Sequence, residues 1–183
     1  MRHIILILST AACFFFLPIP DPAEAGTITY EAIDLADTTP GEDLWQYSYM
    51  LSGFTFPLGF GFDLFFPLSQ GYLFGDLETD PPEPNADWDV ISIQPDQNLP
   101  ADGFLDALAL VNNASLADPF TIAFIWNGTG TPGTQLFEIF DDTFAVIDGG
   151  VTVPAGGTTP VPEPGTLLLF ATGMGLVWGR MRS

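Results

Sequence analysis

The stretch that decides the fold is FTFPLGFGFDLFF, residues 54–66. Large apolar side chains occupy every second position of it, namely Phe54, Phe56, Leu58, Phe60, Phe62, Leu64 and Phe66. Because successive side chains of a strand point to opposite faces, this period of two predicts β-structure with one apolar face. Pro57 has no N–H to donate to a neighbouring strand, so we expect an edge position or a break there.

The same alternation recurs outward from this stretch in both directions. Strand candidates cover residues 27–35, 44–52, 71–77, 88–94, 104–111, 120–127, 135–141, 143–147 and 151–153. Leu and Ala in 104–111 favour a helix, but its flanks and length suit a strand. Asp148-Gly149-Gly150 is expected to close a hairpin. We therefore predict an all-β, antiparallel β-sandwich, jelly-roll-like, over residues 26–153, with a flexible linker at 154–160.

The charge distribution argues against nucleic-acid partners and against several classes of catalytic site. Three of the 23 acids lie outside residues 26–161, which leaves 20 acids in that region and no Lys, Arg or His. Such a polyanion repels nucleic acid, so a nucleic-acid partner is not expected. The region also lacks the side chains for a Ser-His-Asp or Cys-His couple, a Schiff-base lysine or an imidazole metal site. Cys13 is the only cysteine, so no disulfide can form within the chain.

The first 25 residues have the pattern of a secretory signal peptide. A basic start at Arg2 and His3 precedes an apolar stretch at 4–17, and Ala23-Glu24-Ala25 ends the segment. The pattern predicts a signal helix that signal peptidase removes after Ala25. Two alternatives stay open, a lipoprotein modified at Cys13 and an uncleaved anchor, although the apolar stretch is shorter than the roughly 20 residues of a spanning helix.

Residues 161–183, VPEPGTLLLFATGMGLVWGRMRS, form a second segment with its own order of features. Pro162, Glu163 and Pro164 precede an uncharged run at 165–179, which ends against Arg180 and Arg182. Prolines keep their surroundings extended, the apolar run can enter a bilayer as a helix, and terminal arginines favour the cytoplasmic side. The alternative from the residues alone is an ordinary C-terminal membrane anchor.

This tail resembles the PEP-CTERM sorting signal of exported Gram-negative bacterial proteins. The resemblance implies an exosortase, a membrane protease or transpeptidase, that recognises Pro162-Glu163-Pro164 and cuts nearby. It further implies a transient stay in the inner membrane, followed by release to the cell surface or the exopolysaccharide matrix. The body resembles a recurring exported β domain found ahead of such tails, through residues 87–113 and 119–141, and no activity follows from that resemblance.

With no Lys, Arg, His or Cys in the body, carboxylates are the side chains there that carry a charge at neutral pH. Five of them surround a proline-rich loop and are candidate Ca²⁺ ligands: Asp76, Glu78, Asp80, Asp87 and Asp89. Hard oxygen ligands at alternating positions suit this ion, and the alternative is a solvated acidic loop.

A glycoside hydrolase with two catalytic acids is the enzyme alternative, suggested by Glu138, Asp141 and Asp142. Glu138 and Asp142 would lie roughly 13 Å apart on one strand face, beyond either catalytic separation. The simpler interpretation is that these three residues are solvated acids at the end of a strand.

Three aromatic residues on one face of the 44–52 strand, Trp45, Tyr47 and Tyr49, could line a saccharide platform if that face is exposed. Core packing is the competing reading. Together these features predict an exported, noncatalytic cell-surface or matrix protein, with exopolysaccharide or calcium as candidate ligands. The alternative is a carboxylate-dependent glycoside hydrolase acting on extracellular polysaccharide.

Overall fold

The computed structural model describes residues 26–73, 75–99 and 101–156. The predicted signal peptide (1–25), most of the predicted linker (157–160) and the predicted sorting segment with Pro162, Glu163, Pro164, Arg180 and Arg182 lie outside the described residues. Among the residues that are described, no helix is long and apolar enough to cross a membrane.

Nine strands carry the fold, and the only helix in the described part of the chain is the 3-10 turn Leu68–Gln70. The strands are β1 Thr27–Asp34, β2 Leu44–Ser52, β3 Gly61–Phe66, β4 Trp88–Ile93, β5 Gly103–Ala109, β6 Phe120–Ile125, β7 Leu136–Phe140, β8 Val146–Val151 and β9 Val153–Pro154. The predicted all-β class is confirmed. The ambiguous segment 104–111 is a strand, β5, whose Leu105, Ala107 and Ala109 face the core.

The strands form two sheets that share one core. The four-stranded sheet has the order β6-β2-β1-β9, and the five-stranded sheet has the order β4-β5-β3-β7-β8. All pairs are antiparallel except β1 with β9. Thr152 is buried between β8 and β9, where the chain passes from one sheet to the other. Pro154, which the sequence places in the linker, pairs with Tyr30 of β1.

The predicted β-structure of residues 54–66 is confined to β3, which begins at Gly61, and the chain is irregular around Pro57, where the sequence predicts an edge position or a break. Pro57 lacks the donor that a ladder needs, and Gly53 and Gly59 have φ of 75° and 84°. The predicted strand at 71–77 is wrong, since only Leu77 bridges to another strand, at Phe124.

The predicted turn at Asp148-Gly149-Gly150 is also wrong, because these residues lie inside β8. The chain reverses earlier, at residues 141–145. There, Oδ1 of Asp141 accepts hydrogen bonds from the Thr143 N–H (2.8 Å) and hydroxyl (2.6 Å) and from the Ala145 N–H (3.1 Å). This side-chain-to-backbone turn chemistry outcompetes the glycine pair.

Aromatic rings fill the space between the sheets. Phe62 of β3 meets Phe120 of β6 edge-to-face at 4.9 Å, and Trp88 of β4 meets Phe120 at 5.0 Å. These contacts cross from one sheet to the other, so they fix how the sheets face each other. The opposite face of the five-stranded sheet, hereafter the outer face, does not take part in this core.

Candidate functional site

The five predicted calcium ligands do not come together. Three of them are acceptors that hold separate loops: Asp76 accepts from the Leu73 N–H (2.7 Å) and Asn127 Nδ2 (2.6 Å), Glu78 from the Ala123 N–H (2.9 Å), and Asp87 from the Ser115 N–H (2.9 Å). Asp80 and Asp89 are exposed. Within residues 26–73, 75–99 and 101–156, no group of three or more His, Cys, Asp or Glu is placed to hold a metal ion.

The proposed saccharide platform of Trp45, Tyr47 and Tyr49 does not have the exposed face that it requires. Tyr47 and Tyr49 are 0% exposed, and Trp45 is half-buried against the same core. The face lies inside because β2 is a central strand of its sheet and these residues point toward the other sheet. Core packing is therefore the correct reading of this aromatic alternation.

The buried tyrosines belong to a polar network inside the core. The Tyr47 hydroxyl donates to the Gly133 carbonyl (2.8 Å), the Tyr49 hydroxyl donates to Gln135 Oε1 (3.1 Å), and Gln135 Nε2 donates to the Tyr47 hydroxyl (2.7 Å). Burial raises the pKa of Tyr47 and Tyr49, and it raises the pKa of Tyr72 to about 12. The phenols therefore stay neutral, and the network serves structure by satisfying buried polar groups.

The acids first suggested for hydrolysis separate into two roles. Glu138 lies on the outer face of β7, where it is opposite Asp63 of β3. Asp141 holds the β7–β8 turn, and hydrogen bonds from Thr143 and Ala145 lower the pKa of its carboxyl. Glu138 is thus the only one of the three acids that lies in a carboxyl cluster on the sheet.

That cluster crosses three neighbouring strands on the outer face, with one acid from each strand at directly opposed positions. Asp63 at the centre is opposite Asp106 of β5 on one side and Glu138 of β7 on the other. We call Asp106, Asp63 and Glu138 the carboxyl row. Cα atoms of directly opposed residues in antiparallel strands are about 4.5–5.5 Å apart, so three acids lie side by side with no basic residue in the described chain to neutralise them.

Asp63, at the centre of the carboxyl row, has a raised pKa. Partial burial, followed by the negative charges and hydrogen bond of Asp106 and the charge of Glu138, raises the pKa of Asp63 to about 7. Burial also raises the pKa of Asp106. Burial and the neighbouring acids therefore favour the protonated form of Asp63. Oδ1 of Asp63 is buried and has no hydrogen-bond partner among the described residues.

Apolar groups surround the row. The rings of Phe65 and Phe104 lie 6.3 Å apart on one side. On the other side the ring of Phe140 covers Gly61 so closely that a Cβ on Gly61 would collide with it. A shallow depression of about 710 Å³ adjoins Glu138 and is lined by Phe65, Leu136, Ile147, Gly149 and Val151. A protonated carboxyl beside ionised ones can both donate and accept hydrogen bonds to a polar ligand at this surface.

Asp63 and Asp106 were missed from the sequence. Each is a single acid on the polar side of a period-two stretch, which is an ordinary place for a solvated residue. The available signal was that both stretches are rich in Phe and Leu, which indicates central strands. The register that brings the two acids together depends on strand pairing, and no local pattern reports it.

Comparison with known protein families identifies the C-terminal segment. A model of the PEP-CTERM protein-sorting motif matches residues 160–182. The chain therefore carries a PEP-CTERM sorting signal at its C-terminus, which implies an exported, surface-directed protein that an exosortase processes. No curated protein and no solved structure matches the chain.

Proposed function

We propose that this protein is an exported, noncatalytic component of the cell surface or extracellular matrix. The observation that carries the proposal is the order of parts: a folded, acidic β-sandwich is followed by a PEP-CTERM motif at 160–182. The folded part is the portion that is delivered, and the motif directs its delivery to the surface.

In this proposal the two ends of the chain act in sequence. Signal peptidase removes residues 1–25 during export, and the uncharged run at 165–179 then holds the protein transiently in the inner membrane. As a helix this run would span roughly 22 Å, short for a hydrocarbon core of roughly 30 Å, which suits a temporary anchor. The exosortase cuts near Pro162-Glu163-Pro164, and Arg180 and Arg182 leave with the released tail.

The chain contains its own control for testing this sorting. A second Pro-Glu-Pro triplet, at residues 82–84, lies in the loop before β4 and has no apolar run after it. Changing residues 162–164 to alanine should retain the protein in the inner-membrane fraction, whereas changing residues 82–84 should leave its surface location unaltered. Normal surface delivery of the first variant, measured by fractionation and immunoblotting, would contradict the proposal.

Exopolysaccharide remains the ligand class that the outer face suits best. The carboxyl row can accept hydrogen bonds from sugar hydroxyls and donate one from protonated Asp63, and the adjacent rings of Phe65 and Phe104 offer apolar contact. Binding of extracted exopolysaccharide should weaken in the Asp63→Asn, Asp106→Asn double variant. An Asp142→Asn variant, altered at an exposed turn residue, should bind as the parent does.

A carboxylate-dependent glycoside hydrolase is the second candidate, favoured by the raised pKa of Asp63 between two other acids. The geometry of the carboxyl row argues against a glycoside hydrolase. Retaining enzymes separate their carboxyls by about 5–5.5 Å and inverting enzymes by about 6.5–9.5 Å. Asp63 is directly opposite both Asp106 and Glu138, so it lies between these two acids, where an inverting enzyme would need room for a water. Polysaccharide hydrolysis that Asp63→Asn abolishes and Asp142→Asn preserves would establish the enzyme.

A further inference from the structure

The outer face of the five-stranded sheet carries apolar side chains on both sides of the carboxyl row. Strand register places them in two lines parallel to the acids, and we call these lines the apolar rows. One apolar row contains Ile93, Phe104, Phe65, Leu136 and Val151, and the other contains Leu108, Phe140 and Val146. The water-facing side of an antiparallel sheet is ordinarily polar, so the apolar rows indicate a surface that receives a partner.

The apolar rows are most exposed where they cross β7 and β8. Leu136 is 59% exposed, Val146 58% and Val151 50%. Between these side chains Gly149 lies opposite Glu138 and has no side chain of its own, so the surface is recessed there. This recess is the shallow depression of about 710 Å³ that adjoins Glu138. A partner that enters it contacts Glu138 and the apolar side chains together.

Charge complementarity restricts the partner to a cation. The carboxyl row sets three acids side by side, and residues 26–161 contain no Lys, Arg or His. An anionic partner, including a second copy of this chain, would be repelled. The buried Oδ1 of Asp63 has no hydrogen-bond partner among the described residues. Unpaired buried acceptors are rare in folded proteins, and an ammonium beside the carboxyl row would supply a donor.

We propose that the outer face binds a polysaccharide with free amino groups, whose ammonium groups pair with Asp106, Asp63 and Glu138. The inference rests on the proposed matrix function, which makes a polysaccharide the partner, and it adds the sign of that partner's charge. The acids repeat at the strand spacing of about 4.8 Å, and each apolar row lies two residues away along the strands, about 7 Å.

This spacing favours an amino sugar over a basic peptide. An amino sugar carries its ammonium directly on the ring, so one ring can contact a carboxylate and a neighbouring apolar side chain. Lysine carries its ammonium at the end of a flexible stem, so a basic peptide would have to order a long side chain for each contact.

Binding of such a cation should release a proton from Asp63. The acids that face Asp63 are Asp106 from β5 and Glu138 from β7, while Asp89 of β4 acts on Asp106, and the described chain has no base. Burial and these negative charges raise the pKa of Asp63 to about 7, so it keeps its proton at about pH 5.5. A neighbouring ammonium favours the ionised form. A polycation that adheres elsewhere on the acidic surface would leave this proton in place.

The test is isothermal titration calorimetry of the full chain in a nonionic detergent at about pH 5.5, with an oligomer of glucosamine as the probe. An N-acetylated oligomer of the same length is the neutral control. The glucosamine oligomer should bind at least about tenfold more tightly than the neutral one. Runs in buffers of different ionisation enthalpy should show more proton release from the parent than from Asp63→Asn. Equal affinity for the two oligomers, or equal proton release from the two proteins, would overturn the proposal.

Two charge-matched variants separate the carboxyl row from the general negative charge. Asp63→Asn with Glu138→Gln removes two acids from the row, and Asp80→Asn with Glu83→Gln removes two exposed acids from the loop before β4. The first variant should bind the glucosamine oligomer at least about tenfold more weakly, whereas the second should bind it as the parent does. Equal weakening by both variants would show adhesion to the whole acidic surface and overturn the proposal. Tighter binding of an oligolysine of equal charge would assign the outer face to a basic protein and overturn it as well.

Extracted exopolysaccharide separates this inference from the function on which it rests. Chemical N-acetylation of its free amines should weaken its binding to the full chain. Binding that N-acetylation leaves unchanged would overturn the amino-polysaccharide inference and keep the matrix function. A protein that fractionation finds away from the cell surface would overturn the matrix function, whatever the glucosamine oligomer shows.

Discussion

Raising the pH from 5 to 8 should destabilise the β-sandwich, because Asp63 holds its proton more tightly when the chain is folded than when it is unfolded. The folded pKa is about 7, against an ordinary value of 3.8. Between these two values the folded state binds a proton that the unfolded state has lost, so stability falls as pH rises. The penalty is absent below about pH 3.8 and complete above about pH 7. The raised pKa of Asp106 acts in the same direction.

The size of this effect follows from the same difference. Each pH unit in the window costs at most about 1.4 kcal/mol, which gives a ceiling of about 3 kcal/mol between pH 5 and pH 7. Asp63 is only about half buried, and solvent screens its repulsion, so we expect about 1–1.5 kcal/mol. Thermal unfolding followed by circular dichroism should show a Tm lower by about 3–6 °C at pH 8 than at pH 5.

Asparagine substitution isolates the contribution of Asp63. Asp63→Asn should raise the stability at pH 8 and remove most of the dependence between pH 5 and 7, while Asp142→Asn should keep the parent profile. A parent that is more stable at pH 8 than at pH 5, or an Asp63→Asn variant that keeps the full slope, would refute the reasoning about the carboxyl row.

Three further substitutions test the packing described above, all by denaturant unfolding. Gln135→Leu should cost about 1–3 kcal/mol, because it leaves the buried Tyr49 hydroxyl without an acceptor; a loss below about 1 kcal/mol would contradict the network. Gly61→Ala should cost about 2 kcal/mol, since its Cβ meets both the backbone carbonyl oxygen of Ala107 and the Phe140 ring; an unchanged midpoint would contradict this close packing. Phe144→Gly should be about 1 kcal/mol more stable than Phe144→Ala, because Phe144 has φ of 60°, which glycine adopts without strain; equal stability of the two variants would exclude backbone strain at this turn.

The sequence predicted the sheets well because alternation is a local property. Apolar side chains at every second position in 120–127 and 44–52 were enough to place β6 and β2, and the aromatic content explains the shared core. The failures occurred where side-chain hydrogen bonds decide the backbone. Asp141 forms the β7–β8 turn with three hydrogen bonds, while the glycine pair at 149–150 continues the strand beside Phe137.

The candidate site was predictable only in part, for a different reason. Glu138 was identified as a notable acid, but its partners Asp63 and Asp106 are 75 and 32 residues away along the chain, and pairing register alone brings them together. Conversely, the acids that are clustered along the sequence around the proline-rich loop are not brought together by the fold. Asp76, Glu78 and Asp87 lie close in sequence, yet each turns toward a different backbone donor.

The most direct test of the account is mass spectrometry of the intact protein recovered from the cell surface. Export and exosortase processing predict a product that begins at Gly26 and ends near Pro162-Glu163-Pro164, without the apolar run at 165–179. The same measurement on cells lacking the exosortase should find the tail still attached and the protein in the inner-membrane fraction. A surface product that still ends at Ser183 in normal cells would contradict the sorting account.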